Sequence, residues 1–271
     1  MDLKNDAAHE TISFDGIDVG LRLNGNTGRG LLLLHGWKCS AELMAGIQDC
    51  FAPYMRTVAL DFPGHGDLGK AKPPKSVWGI PEYAALVSSI IEKYHLAPCD
   101  IIAHSFGCRV ALFIAASKPQ VIGRLILTGA AGIPNRMTKN ANGHNSYRIL
   151  KQGINIVDKL HLFSKKVPIW REGLVQRYGS EDYKALTPHM REVFKKVISF
   201  DVTPLLTKVK APTILYWGTN DHETPLWMGR IMEKEIPDAA LILEEGASHF
   251  AFLERKSSFL RISEEFLLKG R

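Results

Sequence analysis

The chain of 271 residues is 45% hydrophobic and 23% charged, which is the composition of an ordinary globular protein long enough to bury a sizeable core. No apolar run is long enough to span a bilayer and the first six residues are too polar for a signal peptide, so a cytoplasmic protein without stable membrane insertion is predicted. The whole excess of positive charge lies between residues 131 and 200, dispersed among aliphatic positions; this is typical of solvated helix faces and argues against a nucleic-acid partner.

The first third of the chain predicts the start of a mostly parallel sheet. Apolar and polar residues alternate over 11–14 and 17–23 on either side of Asp15-Gly16, which indicates a β-hairpin. Residues 30–34 are apolar at every position after Gly30, as expected of a parallel strand that is covered on both faces. A second such strand, 57–62, ends in a turn-rich loop, and apolar residues recur with helical spacing between Tyr83 and Tyr94.

Residues 101–107 read Ile-Ile-Ala-His-Ser-Phe-Gly and predict a buried strand, a sharp turn with Ser105 at its apex, and a helix that begins at once. The small residues Ala103 and Gly107 allow strand and helix to pack closely while the turn exposes the hydroxyl, as in a nucleophile elbow. Serine is also a favoured N-cap, so the motif alone leaves two interpretations open, a nucleophile and a helix cap.

The remaining chain predicts an α/β architecture with an insertion. A strand over 121–128 continues the alternation of strands and helices, which then breaks between 131 and 203, where only helical segments are indicated. Strands resume at 211–217 and 240–244, with a helix near 226–235 between them and a final helix after them. We therefore expect a doubly wound, mostly parallel sheet in a core domain made of 1–130 and 204–271, with 131–203 as an inserted helical lid.

A serine nucleophile needs a base to remove its proton and an acid to orient that base, and two later strands end in loops that offer them. The strand that ends at 217 is followed by Asp221, and the strand that ends near 244 is followed by His249. His104 adjoins the serine, but neighbouring side chains on a strand point to opposite faces, so it is expected to pack under the sheet. His222 adjoins Asp221 and cannot readily pair with it.

Five motifs in order resemble those of the α/β-hydrolase superfamily, over nearly the whole chain. Beside the elbow they are His35-Gly36-Trp37, the D-x-P-G-x-G turn at 61–66, the W-G-x-x-D-x-x-x-P loop at 217–225 and the G-x-x-H-F loop at 246–250. The resemblance implies a serine hydrolase with a helical lid, similar to esterases. It also implies a catalytic triad and an oxyanion hole built from two backbone N–H groups, with these members: Ser105, Asp221 and His249 for the triad, Trp37 and Phe106 for the oxyanion hole.

Three positions depart from the pattern of the superfamily, and none removes a catalytic group. Ala103 replaces the first glycine of G-x-S-x-G, Cys108 stands where a second glycine is common, and Asp67 follows Gly66 where serine is frequent. Cys108 is expected to pack. All four cysteines are expected to be reduced thiols, because the chain is long and shows no export signal, and their spacing matches no metal-ligand pattern. Neither a metal nor a cofactor is predicted.

The predicted function is hydrolysis of a small-molecule carboxylic ester through an acyl-enzyme. A carbon–carbon bond hydrolase of ring-cleavage products, a thioesterase, an iminopeptidase and an acyltransferase use the same triad and stay open as alternatives. They differ from an esterase in which substrate they turn over. A catalytically silent ligand receptor on the same fold is a further alternative, distinguished by failure of Ser105 to react with a fluorophosphonate.

Overall fold

The computed structural model describes residues 7–66, 68, 72–134, 167–178 and 181–269, and eight strands in these ranges form a single sheet. The strands are β1 (Ala8–Phe14), β2 (Ile17–Asn24), β3 (Gly30–Leu34), β4 (Arg56–Leu60), β5 (Cys99–His104), β6 (Ile122–Thr128), β7 (Thr213–Gly218) and β8 (Ala239–Glu244). Their order across the sheet is β1-β2-β4-β3-β5-β6-β7-β8. The pairs β1–β2 and β2–β4 are antiparallel and the others are parallel, which confirms the predicted fold class.

Helices lie between and after these strands along the chain. They are α1 (Ala41–Phe51), α2 (Ile80–Lys93), α3 (Phe106–Ser117), α4 (Val167–Tyr178), α5 (Glu181–Lys184), α6 (Pro188–Ile198), α7 (Leu226–Glu235), α8 (Ala251–Glu254) and α9 (Lys256–Glu264). Short 3-10 segments lie at Pro119–Val121 and Thr203–Lys208, and a π-helical turn at Glu265–Lys269 follows α9. Within the described ranges, no helix combines the length and apolarity that crossing a membrane requires.

The predicted hairpin at the start of the sheet is confirmed. Phe14 of β1 pairs with Ile17 of β2, and the two residues between them have positive φ, 51° for Asp15 and 67° for Gly16. Two consecutive residues with positive φ characterise the type I′ turn, whose twist matches that of the flanking strands. Asp and Gly are the residues that adopt this conformation with least strain, so the local sequence specifies the turn.

The apolar strand β3 lies near the middle of the sheet, between β4 and β5. Leu31 and Leu33 pack on one face with residues of α1 and with Phe259 of α9. Because side chains alternate along a strand, Leu32 and Leu34 face the opposite layer, where α2 and α3 contact each other. All four leucines are fully buried, which accounts for a strand without polar positions.

Parallel pairing brings the carboxyl ends of three strands to one edge of the sheet. Leu34 of β3 pairs with Ala103 of β5, and His104 of β5 pairs with Thr128 of β6. Helix α3 leaves this edge so close to β3 that a Cβ on Gly107 would lie 2.6 Å from the carbonyl oxygen of Leu34. Only glycine fits at this position. The loops that follow β3, β5 and β6 therefore begin next to one another.

The chain divides into two compact units, one of Met1–Ile133 with Lys196–Arg271 and the other of Pro134–Lys195. In the second unit, Arg191 is buried and its guanidinium Nη2 donates to Glu172 Oε1 at 3.1 Å, which joins α6 to α4. The predicted lid, 131–203, overlaps this unit. Residues 135–166 and 179–180 lie outside the described residues, and the function of the segment as a lid stays a prediction.

The sheet also buries a carboxylate, paired with a partly exposed arginine, that the sequence did not indicate. Asp100 in β5 is fully buried, and its carboxylate lies 2.6 Å from Arg29 Nη2, just before β3. The residues that follow Asp100 in the strand are apolar, so an apolar residue would be expected at its position. The thiols of Cys99 and Cys108 are buried too, and burial raises the pKa of each, so they pack as small apolar groups.

Candidate active site

Ser105 stands at the sharp turn between β5 and α3, and its backbone has φ 49° and ψ −108°. A positive φ at a residue other than glycine is strained, and such strain persists only where the surrounding structure holds it. The Ser105 N–H donates to Thr128 O at 3.0 Å, and its carbonyl accepts the N–H of Cys108 at 3.1 Å. Ser105 holds the N-cap position of α3, but its half-buried side chain makes no capping hydrogen bond, so capping does not account for the hydroxyl.

Asp221 and His249 form a hydrogen-bonded pair. Asp221 follows β7 and His249 follows β8, and His249 Nδ1 lies 2.8 Å from Asp221 Oδ2. Only 4% of the Asp221 surface and 6% of the His249 surface are exposed, so the pair is shielded from water. Burial opposes ionisation of Asp221, but hydrogen bonds from His249 and Thr224 outweigh it and hold the pKa of the carboxyl below its usual value.

Thr224 completes the surroundings of this carboxylate. Its hydroxyl donates to Asp221 Oδ2 at 2.7 Å and lies 3.2 Å from His249 Nδ1. Asp221 Oδ1 accepts the backbone N–H groups of Glu223 and Thr224 at 2.9 and 2.8 Å. Because an ionised carboxylate only accepts, Nδ1 carries the ring proton, which leaves Nε2 of a neutral His249 with its lone pair.

The ring of His249 lies beside the turn that carries Ser105. The centroids of the His249 and His104 rings are 4.7 Å apart, so the imidazole stands next to the residue that precedes the serine. A Cβ on Gly129 would lie 3.0 Å from His249 Nδ1, and one on Gly36 would lie 3.4 Å from Ser105 Cβ. Among the described residues no hydrogen bond joins Ser105 to His249, and the two side chains share one edge of the sheet.

His104 is buried as predicted, but it also contacts the site. Its ring stacks obliquely on His249 and Phe252, and Nδ1 lies 3.2 Å from Thr128 O. Burial lowers the pKa of His104 to about 3, so the ring is neutral near pH 7. The expectation that alternation would turn this side chain away from the other functional groups overlooked the His249 loop, which wraps over the end of β5.

Trp37 and Phe106 stand next to each other, with ring centroids 5.5 Å apart. Phe106 is the first residue of α3, so its N–H has no partner within the helix and lies at the helix N-terminus. Trp37 lies in the loop after β3, between Gly36 and Lys38, whose φ is 59°.

Two neutral histidines hold the loop of Trp37. His35 Nε2 accepts the Phe62 N–H at 3.0 Å, so its Nδ1 carries the proton that is donated to Gly36 O at 2.6 Å. His65 Nδ1 accepts the Lys38 N–H at 3.3 Å, and its ring centroid lies 4.3 Å from that of Trp37. Burial lowers the pKa of His65 to about 3. The turn motif located His65 in the sequence, but not its contact with the loop of Trp37.

Asp61 explains the turn motif in which it stands. Its carboxylate accepts the N–H of Ala41 at 2.6 Å and that of Leu68 at 2.8 Å, which ties α1 to the turn. A Cβ on Gly66, where φ is 91°, would lie 1.9 Å from Asp61 Cγ. The glycine is therefore required by both backbone conformation and space.

Glu223 is a residue of the site that the sequence did not reveal. Its carboxylate oxygen Oε2 lies 3.7 Å from His249 Nε2, on the side of the ring away from Asp221, and the side chain is 70% exposed. The motif of the acid loop treats this position as unrestricted, which is why it gave no signal. In the described part of the chain no group of three or more His, Cys, Asp or Glu side chains could hold a metal ion.

The arrangement can be compared with known proteins. The model of the alpha/beta hydrolase family matches residues 31–259. A pimeloyl-(acyl-carrier protein) methyl ester esterase of Neisseria meningitidis is 26% identical over 245 residues, which cover 87% of this chain and 92% of that protein.

Two solved structures are similar in fold. An alpha/beta hydrolase enzyme from a Medee basin deep-sea metagenome library has a TM-score of 0.72 and 17% identity, and covers 95% of this chain and 96% of its own. A meta-cleavage product hydrolase of Pseudomonas fluorescens has a TM-score of 0.71 and 18% identity, and covers 97% of this chain and 98% of its own. Since the family match spans most of the sequence, the chain belongs to the alpha/beta hydrolase family and is, as predicted, a hydrolase enzyme.

Proposed function

We propose that this enzyme hydrolyses carboxylic esters of small molecules, with Ser105 as nucleophile, His249 as base and Asp221 as the acid that orients the base. The observation that carries the proposal is the buried Asp221–His249 pair, 2.8 Å between Nδ1 and Oδ2, next to a serine held at positive φ. The hydrogen bond to Asp221 uses Nδ1 and leaves Nε2 as the basic atom of the ring.

The reaction proceeds in two halves. Nε2 of His249 removes the proton of the Ser105 hydroxyl as its oxygen attacks the acyl carbon, and the N–H groups of Trp37 and Phe106 stabilise the negative oxygen of the tetrahedral intermediate. The imidazolium then gives its proton to the leaving alcohol. In the second half, His249 activates a water molecule that releases the acid from Ser105.

An ester is the favoured substrate because the curated relative with 26% identity over most of the chain is named for ester hydrolysis. The carbon–carbon bond hydrolase is the second candidate, supported by a structural neighbour named a meta-cleavage product hydrolase. That likeness is one of fold alone, so it ranks below the ester. A thioesterase or acyltransferase has no such neighbour in its favour among the proteins compared above.

A substrate panel with serine variants tests the proposal. Nitrophenyl esters of increasing acyl length are compared with one thioester and one vinylogous diketone acid, for the wild type, Ser105→Ala and Ser199→Ala. The exposed Ser199 is a matched control. We expect ester turnover that Ser105→Ala lowers by about 10⁴-fold or more and Ser199→Ala leaves intact.

A fluorophosphonate provides the second measurement, because it labels an activated serine without requiring the right substrate. Mass spectrometry is expected to locate the label on Ser105. Labelling that persists in Ser105→Ala would contradict the proposed nucleophile. Turnover of the diketone acid but of no ester would contradict the ester proposal and favour hydrolysis of a carbon–carbon bond.

A further inference from the structure

We propose that Glu223 selects substrates by charge, favouring esters whose leaving alcohol is cationic over those whose leaving alcohol is anionic. The inference rests on the proposed function, since it assigns the leaving group to the Nε2 side of His249. It concerns which esters the site accepts. The residues proposed to break the ester bond are those named above and are unaffected by it.

The position of the carboxylate carries the inference. The leaving oxygen takes its proton from Nε2 of His249, so the alcohol has to lie within hydrogen-bond reach of that atom. Glu223 Oε2 is 3.7 Å from the same nitrogen. A substituent on the alcohol two or three bonds beyond the ester oxygen therefore lies close to a negative charge.

The backbone of Glu223 is fixed at this place. Its N–H donates to Asp221 Oδ1 at 2.9 Å, and the next residue, Thr224, is bound to the same carboxylate by both N–H and hydroxyl. The side chain can rotate, but the Cα of Glu223 stays beside His249. Only rotation of the exposed side chain changes the distance of the carboxylate from His249.

The charge of Glu223 is not neutralised by a basic side chain of the described residues. Among the described residues, the Glu223 carboxylate lies within 4.0 Å of His249, and no Lys or Arg of these residues lies as close to it. The other titratable groups of the described residues that contact His249 are Asp221, which binds Nδ1, and His104, which is neutral because burial lowers its pKa to about 3. Among the described residues, the ionised side chains next to His249 are therefore the two carboxylates of Asp221 and Glu223.

The size of the effect follows from exposure. Because 70% of the side chain is in contact with water, solvent screens the interaction, and charge pairs at such sites change equilibria by a few-fold. We expect a preference of about 1.5- to fivefold per unit of substrate charge, which is the range of exposed ion pairs. Added salt should reduce it, which a steric preference would not do.

Three acetates with isosteric alcohols test the proposal. They are acetylcholine, neutral 3,3-dimethylbutyl acetate and anionic 2-sulfoethyl acetate, and kcat/KM is measured for each at low and high salt. The wild type is compared with Glu223→Gln and with Glu245→Gln, an exposed acid in the His249 loop whose loss removes the same net charge. The readouts are the cationic-to-neutral and anionic-to-neutral ratios of kcat/KM.

In Glu223→Gln we expect the cationic-to-neutral ratio to fall and the anionic-to-neutral ratio to rise, each by about 1.5- to fivefold, while both keep their wild-type values in Glu245→Gln. Equal ratios in the wild type and Glu223→Gln would overturn the inference and leave the esterase proposal standing. Absence of both ester turnover and fluorophosphonate labelling of Ser105 in the wild type would overturn the proposed function, and the inference with it.

Discussion

The carboxylate of Asp221 is bound by four groups: the ring of His249, the hydroxyl of Thr224, and two backbone N–H groups from the same loop. These bonds favour the ionised form, which is why the pKa lies below its usual value in spite of burial. The hydroxyl of Thr224 is the one member of the set that a conservative substitution removes cleanly.

We expect Thr224→Val to lower the free energy of unfolding by about 1.5–3 kcal/mol, since it deletes a hydrogen bond to a charged group at nearly constant volume. It should also lower kcat/KM, because Asp221 would orient His249 less firmly. Urea unfolding and ester turnover measure the two effects. Thr224→Ser keeps the hydroxyl, and equal losses in the Ser and Val variants would contradict the assigned bond.

The sequence predicted some of these residues and missed others for a physical reason. Ser105, Asp221 and His249 each follow a strand and stand in a recognisable loop motif, so they could be named in advance. Glu223 and Thr224 lie in the same acid loop, but their contacts with His249 depend on how two loops from different strands meet. A local sequence pattern cannot predict such contacts between distant loops.

At the scale of elements, the close approach of α3 to β3 determines where Ser105 stands. The elbow predicted from residues 101–107 is confirmed as β5, a turn and α3. The order of strands in the sheet was not predicted, because pairing between β3 and β5 joins segments about 70 residues apart and no local pattern encodes it. Gly107 belongs to the local elbow motif and also contacts the end of the distant strand β3.

We expect Gly107→Ala to lower the free energy of unfolding by about 1–3 kcal/mol and to reduce turnover, because the added Cβ would meet the carbonyl oxygens of Leu34 and His35 at 2.6 and 2.8 Å. Backbone atoms cannot rotate away, so α3 has to shift. Gly173→Ala in α4 is the control, since nothing lies within 4 Å of its Cβ. Urea unfolding that places both variants at wild-type stability would contradict the close contact.

At the scale of the molecule, two buried histidines couple stability to pH. Burial lowers the pKa values of His65 and His104 to about 3, whereas an unfolded histidine titrates at about 6.5. Between these values the unfolded chain binds more protons than the folded one. Stability is therefore full above about pH 6.5 and is lost as the pH falls toward about 3.

We expect the free energy of unfolding to drop by about 1–2 kcal/mol per buried histidine between pH 7 and pH 5, at about 1.4 kcal/mol per pH unit. The variant His65→Asn keeps an acceptor for the Lys38 N–H and should show a drop smaller by that amount. Urea unfolding at the two pH values measures it. A wild-type stability that is equal at pH 5 and pH 7 would rule out neutral buried imidazoles.

The order of the strands has a consequence for synthesis on the ribosome. Ser105 follows β5 in the middle of the sheet, whereas the proposed base follows β8, which is added at the outer edge and is the last strand to be made. A nascent chain that has reached β6 already contains the serine but not His249, the proposed base. Under the proposed mechanism, Ser105 therefore gains its reactivity only when the loop after the final strand joins the sheet.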